Sequence, residues 1–261
     1  MALAFVGALV YFAVAREGKD SVAAPPSAPL LASSNVIPHG PAPFPATNVE
    51  VTARSTNAVD VSTNDPNALV ERMNRANDFL AQGQFTNALP LLREAARIAP
   101  DDEDVHYNLG IALSRLGKTD EAVHEYEEAI RLLPDYAEAH NNLGNLLLRS
   151  GRRDDAIKQF QEAVRVTPDY AVAWNNLGTA LEQAGRTNEA GVDFRKASEL
   201  DTNYWQARFN FGTTLLHERK FDEARAEFEA VRHLEPTFKP AAVALQRLSR
   251  EEPGTPAPVQ P

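Results

Sequence analysis

A chain of 261 residues with 43% hydrophobic content is long enough for one or two packed domains. The absence of cysteine excludes a disulfide framework, a thiolate nucleophile and any cysteine-ligated zinc or iron–sulfur site. With 26 Lys and Arg against 36 Asp and Glu, the formal charge of −10 opposes attachment to a phosphate backbone, so no nucleic-acid partner is expected.

The chain opens on an apolar run, Ala2 to Ala15, followed at once by Arg16, Glu17, Lys19 and Asp20. As a helix this run rises only ~21 Å, against the ~30 Å hydrocarbon core of a bilayer. Two readings of residues 1–20 stand: a single-pass transmembrane anchor whose first residues lie outside this chain, or a secretory signal cleaved after Ala13-Val14-Ala15. A simply buried terminus is the bland third. An anchor places the protein on a membrane, but Arg16 and Lys19 are offset by Glu17 and Asp20 and do not fix the side.

Residues 21–66 are rich in Pro, Ala, Ser, Thr and Asn, without an apolar period, and read as a disordered linker. As a flexible coil such a segment spans ~37 Å. Residues 251–261, EEPGTPAPVQP, read as a second disordered tail.

Between them lies a period of 34 residues: Ala88, Ala122, Ala156, Ala190 and Ala224. It divides a domain at 67–250 into repeats 69–102, 103–136, 137–170, 171–204 and 205–238, each with two helical stretches joined by a short turn, and a final helix at 239–250. Positions are numbered below from the start of each repeat. Position 8 is always small (Ala76, Gly110, Gly144, Gly178, Gly212), and position 24 is always large (Leu92, Tyr126, Phe160, Phe194, Phe228). Leu109 and Leu113, Leu143 and Leu147, Leu177 and Leu181 make the i, i+4 stripe of a buried helix face. Pro100, Pro134, Pro168 and Pro236 stand where the second helices end. Thr119-Asp120-Glu121, Asp154-Asp155, Thr187-Asn188-Glu189 and Asp222-Glu223 put cap formers and acids where they begin. In the last helix, Val243, Leu245 and Leu248 are expected to cover the fifth repeat.

These residues resemble the tetratricopeptide-repeat family, with five units in register over residues 69–238. Arg72 and Arg75, at usually apolar positions, suit an end-capping first unit, and Thr202 replaces the terminating proline of the fourth. The resemblance implies an all-α, right-handed α-solenoid whose first helices line a concave groove through positions 2, 5, 6, 9, 12 and 13. Position 6 is Asn in all five units: Asn74, Asn108, Asn142, Asn176 and Asn210. A carboxamide offers a donor and an acceptor side by side and matches a peptide bond without reading its side chain. Such columns resemble the Asn ladders of O-linked N-acetylglucosamine transferases and other peptide-holding arrays. The alternative is that each Asn bonds to the adjacent repeat and sets the superhelix pitch. Further groove candidates are Asn77, Asn145, Tyr107, Phe209, Arg115, Arg149 and His217, with Tyr107 and Phe209 as apolar anchors and the arginines as partners for carboxylates. Met73 and Ile111 occupy positions where a two-carboxylate chaperone clamp needs basic residues, which argues against that mode.

No enzyme is legible. His124-Glu125 and His217-Glu218 begin like a zinc-protease motif, but Glu128 and Phe221 stand where the second His belongs. His106 and His140, at position 4, read as packing residues. Asp101-Asp102-Glu103-Asp104 lacks calcium-loop spacing, and no phosphate loop, dinucleotide fingerprint or nucleophile elbow occurs. The expectation is a non-catalytic scaffold, without cofactor, metal or small-molecule substrate, that binds an extended segment of a partner protein. The alternatives are an accessory subunit delivering substrate to a separate enzyme, and a scaffold that binds folded partners on its convex face.

Overall fold

A computed structural model describes residues 66–251. The apolar run at 1–20, the linker up to Asp65 and the tail beyond Glu251 lie outside the described residues. Among these, no helix is long and apolar enough to cross a membrane.

Eleven helices follow one another, and no strand occurs among the described residues. They are α1 (Pro66–Ala81), α2 (Phe85–Ile98), α3 (Glu103–Arg115), α4 (Thr119–Leu132), α5 (Ala137–Arg149), α6 (Arg153–Val166), α7 (Ala171–Gln183), α8 (Thr187–Leu200), α9 (Trp205–His217), α10 (Phe221–Leu234) and α11 (Lys239–Glu251). Odd-numbered helices up to α9 are the first helix of a repeat, even-numbered helices the second. Each helix packs on its chain neighbours, and α1, α3, α5 and α7 also touch one another in sequence. This is the all-α repeat solenoid implied by the 34-residue period.

Within a repeat the two helices meet at the small residue of position 8. A Cβ added at Gly144 would fall 2.7 Å from the ring of Phe160, and one at Gly178 would fall 2.7 Å from Phe194. The large side chain of position 24 therefore rests on helix backbone, and Phe160, Phe194 and Phe228 are almost fully buried. Each contributes on the order of 2–3 kcal/mol of hydrophobic burial. The turn between the helices needs a left-handed residue: Gly117 has φ 75°, Lys118 N–H returns 2.9 Å to the Leu113 carbonyl, and Gly117 N–H bonds Ser114. Arg219 holds the same place in the fifth repeat at φ 61°.

Two expectations are corrected. Thr119 and Thr187 are the first helical residues of α4 and α8, not caps, and no side chain caps the second helices. The preceding cation instead pairs with an acid of the first turn, as in Lys118–Glu121 (2.8 Å), Arg152–Asp155 (3.0 Å) and Arg186–Glu189 (2.6 Å). In α11, Ala241, Leu245 and Leu248 cover the fifth repeat, whereas Val243 is 58% exposed. Two residues turn a helix by 200°, so Val243 cannot share the face of Ala241 and Leu245.

The core is relayed through groups of buried residues that half-buried rings connect, Phe211 packing against both large clusters and Trp174 against the first and the small one. One buried cluster runs from Ala76 to Phe194 and a second from Leu215 to Leu248, with Ala197, Tyr204 and Ala207 as a small group between. At this junction α8 and α9 approach closely: a Cβ on Gly191 would lie 2.5 Å from Thr214 Cγ2.

Candidate functional site

Positions 5 and 6 are adjacent on each first helix and point about 100° apart, so position 5 addresses the following repeat and position 6 the preceding one. The asparagines use this. Asn142 Nδ2 donates to the Tyr107 hydroxyl at 3.1 Å, Asn176 to Asn141 Oδ1 at 2.9 Å, and Asn210 to Asn175 Oδ1 at 3.0 Å. At the first junction Met73 offers no such acceptor, and Asn108 reaches Asn77 Oδ1 instead, at 3.3 Å. Asn74, in the first described repeat, is exposed. These bonds use one amide N–H of each side chain and leave the carbonyl oxygens of Asn108, Asn142, Asn176 and Asn210 outside them.

A second column was not anticipated from the sequence. Position 34 is Tyr136, Tyr170, Tyr204 and Phe238, and each ring closes over position 5 of its own repeat. The Tyr107 and Tyr136 rings lie 4.8 Å apart, and those of Phe209 and Phe238 lie 4.9 Å apart, edge to face. In the middle, Asn141 Nδ2 contacts the Tyr170 hydroxyl at 3.5 Å. Tyr136 donates to Asp104 at 2.7 Å. Burial pushes the Tyr170 phenol up to about 12 and raises Tyr107 and Tyr136 too, so this floor is neutral at ordinary pH. The recurrence of aromatic residues every 34 positions was the available signal.

Tyr107 is 8% exposed and is therefore a floor residue rather than an exposed anchor. Phe209 is half-buried against Phe228 and Phe238. Toward the C-terminal ends of the first helices, Arg149 and His217 are exposed and Asn145 is half-buried, none of them bound to another repeat among the described residues. The Arg115 guanidinium lies 5.8 Å from the Phe85 ring centroid. Asp104 and Glu138, at position 2, are exposed at the opposite ends of these helices. Repeats two and three thus place acids at one rim and arginines at the other, about 16 Å apart along each helix.

On the other side of the first helices, position 4 makes a lock. His106 Nε2 meets the Pro100 carbonyl, His140 Nε2 meets that of Pro134 and Trp174 Nε1 donates to that of Pro168, all at 2.9 Å; Arg208 Nε donates to the Thr202 carbonyl at 2.7 Å. Three of these side chains use a second nitrogen on position 23: His106 on Glu125 (2.7 Å), His140 on Gln159 (2.7 Å) and Arg208 on Glu227 (2.8 Å). Trp174 has no second N–H. No donor reaches the carboxylate of Asp193, at position 23 of that repeat, among the described residues; it is 7% exposed, and burial pushes it up to about 7. For His106, burial opposes the charged form. The bonds to Glu125 and the Pro100 carbonyl, with the charges of Glu125 and Glu128, outweigh it and hold the imidazole above its usual range. No group of three or more His, Asp or Glu side chains that would hold a metal ion occurs among the described residues.

Three family models described as tetratricopeptide repeats match, at residues 79–125, 115–151 and 141–207. Among solved structures, MamA from Desulfovibrio magneticus RS-1 is 25% identical, with a TM-score of 0.58 over 66% of this chain and 97% of that one. PilF of Pseudomonas aeruginosa is 22% identical, with a TM-score of 0.66 over 70% of this chain and 84% of that one. YrrB, described as a repeat protein with an unusual peptide-binding site, is 21% identical, with a TM-score of 0.56 over 68% and 92%. The likeness to PilF and YrrB attests the fold alone. A search of curated proteins finds no match.

Proposed function

Because the chain belongs to the tetratricopeptide-repeat family, we propose that it is a non-catalytic scaffold holding an extended segment of a partner protein along its first helices. The observation that supports this reading is the carboxamide column. Burying amides costs free energy that an apolar seam would not, yet four successive junctions carry an Asn whose N–H is locked to the repeat before it. The locked N–H groups fix the spacing of the column, and the carbonyl oxygens accept backbone N–H groups of the segment. Asn145 and Arg149 at one rim, and Glu138 at the other, then sort its side chains. Preorganised acceptors lose little entropy on binding, which favours a ligand held mainly by its backbone.

The test is the full chain on an unbiased peptide array, beside an Asn145→Ala/Arg149→Glu variant and a Tyr107→Phe variant. The first alters the rim without touching an inter-repeat bond and is expected to lose or exchange bound peptides at unchanged melting temperature. The second removes the acceptor of Asn142 and is expected to melt lower. Identical peptide profiles for the rim variant and the unaltered chain would refute groove binding. Membrane attachment through residues 1–20 belongs to the same reading. Membrane fractionation of the full chain against one lacking these residues tests it, and equal partition of both would refute it.

A further inference from the structure

The outer face of the second helices carries a charge rule that one repeat reverses. Position 26 is Glu94, Glu128 and Glu162 in the first three repeats, with Arg97, Arg131 and Arg165 three residues on. Each of these glutamates is paired: Glu94 with Arg72 (2.8 Å), Glu128 with Arg131 (2.8 Å) and Glu162 with Arg165 (2.7 Å). In the fourth repeat the order is inverted, with Lys196 at position 26 and Glu199 at position 29. Among the described residues neither they nor Arg195 forms an ion pair. The inversion also leaves α8 as the one second helix without a basic residue in its last turn, against the direction its dipole favours.

Apolar surface lies beside these charges. Trp174, Val192, Arg195, Lys196 and Glu199 line one open cleft. Val192 is 54% exposed, and the Trp174 ring is half-buried with its N–H turned to the Pro168 carbonyl. Arg195 also adds to the positive field around Lys220 in the fifth repeat. The corresponding cleft of the first repeat, lined by Leu89, Pro90, Arg93, Glu94 and Arg97, is crossed by ion pairs, since Arg93 holds Glu121 and Glu94 holds Arg72. Trp174 and Asn176 are two positions apart, about 200° around α7, so the cleft faces away from the carboxamide column.

We infer that this cleft is a second protein-docking site, which takes an acidic segment of a partner carrying an apolar side chain between its carboxylates. Val192 and the Trp174 ring receive the apolar group, and Arg195 and Lys196 receive the carboxylates. A helix that surrenders an ion pair and a favourable dipole contact has broken a local rule kept by the three repeats before it, whereas the fifth, with Ala230 and His233 at these places, still keeps basic residues in its last turn; such breaks mark surfaces used for something else. The apolar floor favours a peptide over a lipid headgroup, and two cations against the single Glu199 leave the cleft net positive on a chain of net charge −10, which directs an acidic ligand to it. This inference is independent of the groove.

The experiment uses the full chain, isotope-labelled, titrated with an acetylated peptide alternating Glu and Leu and, as control, one alternating Lys and Leu. The Trp174 indole N–H and the amides of Val192 and Lys196 are expected to shift with the acidic peptide only. The Lys196→Glu/Glu199→Arg variant, which gives α8 the charge order of α2, α4 and α6, is expected to bind roughly ten-fold more weakly or worse. It should melt no lower than the unaltered chain, which keeps loss of binding distinct from loss of fold. Equal binding by that variant overturns the inference, as do shifts confined to Asn108, Asn142 and Asn176. Comparable shifts with phosphatidylserine vesicles at matched charge replace the protein partner by a bilayer and overturn it as well.

Discussion

The two sides of the first helices solve the same joining problem differently. On the inner side nearly the same bond recurs at every junction, from an asparagine amide to an oxygen of the preceding repeat, with only the acceptor varying between Asn and Tyr. On the outer side the geometry recurs and the chemistry does not: His, His, Trp and Arg reach the same backbone carbonyl, and only three of them also satisfy position 23. The inner bond couples neighbouring first helices, and a change at one junction would alter the stacking there. The outer bond pins a helix to the turn just before it, where any donor of sufficient length serves.

The comparison can be broken most severely where both sides depend on one contact. Gly178→Ala forces a methyl against Phe194 and within 3.1 Å of the Ala190 carbonyl; it is expected to cost about 2–3 kcal/mol, read as a drop in thermal or denaturant midpoint. Next comes the inner seam alone. Asn176→Ala strips Asn141 of its 2.9 Å donor and should cost ~1–2 kcal/mol in the same measurement. A loss indistinguishable from zero would mean the seam is ornamental.

The outer lock yields smaller effects that depend on pH. Asp193 is raised by burial to about 7 from an ordinary 3.8, so its contribution is fully present below the unfolded value and disappears as pH rises toward the folded one. Asp193→Asn should therefore leave the unaltered chain's melting temperature ahead or equal in acid, and exceed it by a few degrees at pH ~8. The smallest effect belongs to His106, whose folded value lies above 6.5. Both its nitrogens face oxygen acceptors, which only the imidazolium satisfies together. Its stabilisation is complete below pH ~6.5 and is lost as pH rises through the folded value; His106→Gln should flatten that part of the stability profile. An unchanged slope in the variant would assign the pH dependence elsewhere.

The period, the small–large pairing of positions 8 and 24 and the terminal helix could all be read from the sequence, because each is a repeated constraint on volume. The Asn column could also be read, but not the direction of its bonds. Its acceptors sit 35 residues back at a position that has diverged to Tyr107, Asn141 and Asn175, and nothing in linear order says that these side chains meet. Linear order offers Tyr107 to a ligand because Tyr136, which covers it, belongs to the turn before the next repeat. The caps misled for a related reason. Thr119 is a good cap former, yet the turn ends one residue earlier, and Lys118 with Glu121 does by charge what a hydroxyl would have done by hydrogen bonding.

The position of α9 to α11 at the end of the described array has a consequence for cooperativity. In a linear array stability passes only between neighbours, so the last unit is held by the repeats on one side alone. Helices α9 to α11 therefore form a unit able to open while the preceding repeats stay folded, and their amides should exchange with solvent faster than those of α3 to α7. A partner bound wholly within the first four repeats leaves this fraying untouched. One that bridges α7 and α9 suppresses it, and the exchange rate of the last repeat becomes a gauge of how far along the array a ligand extends.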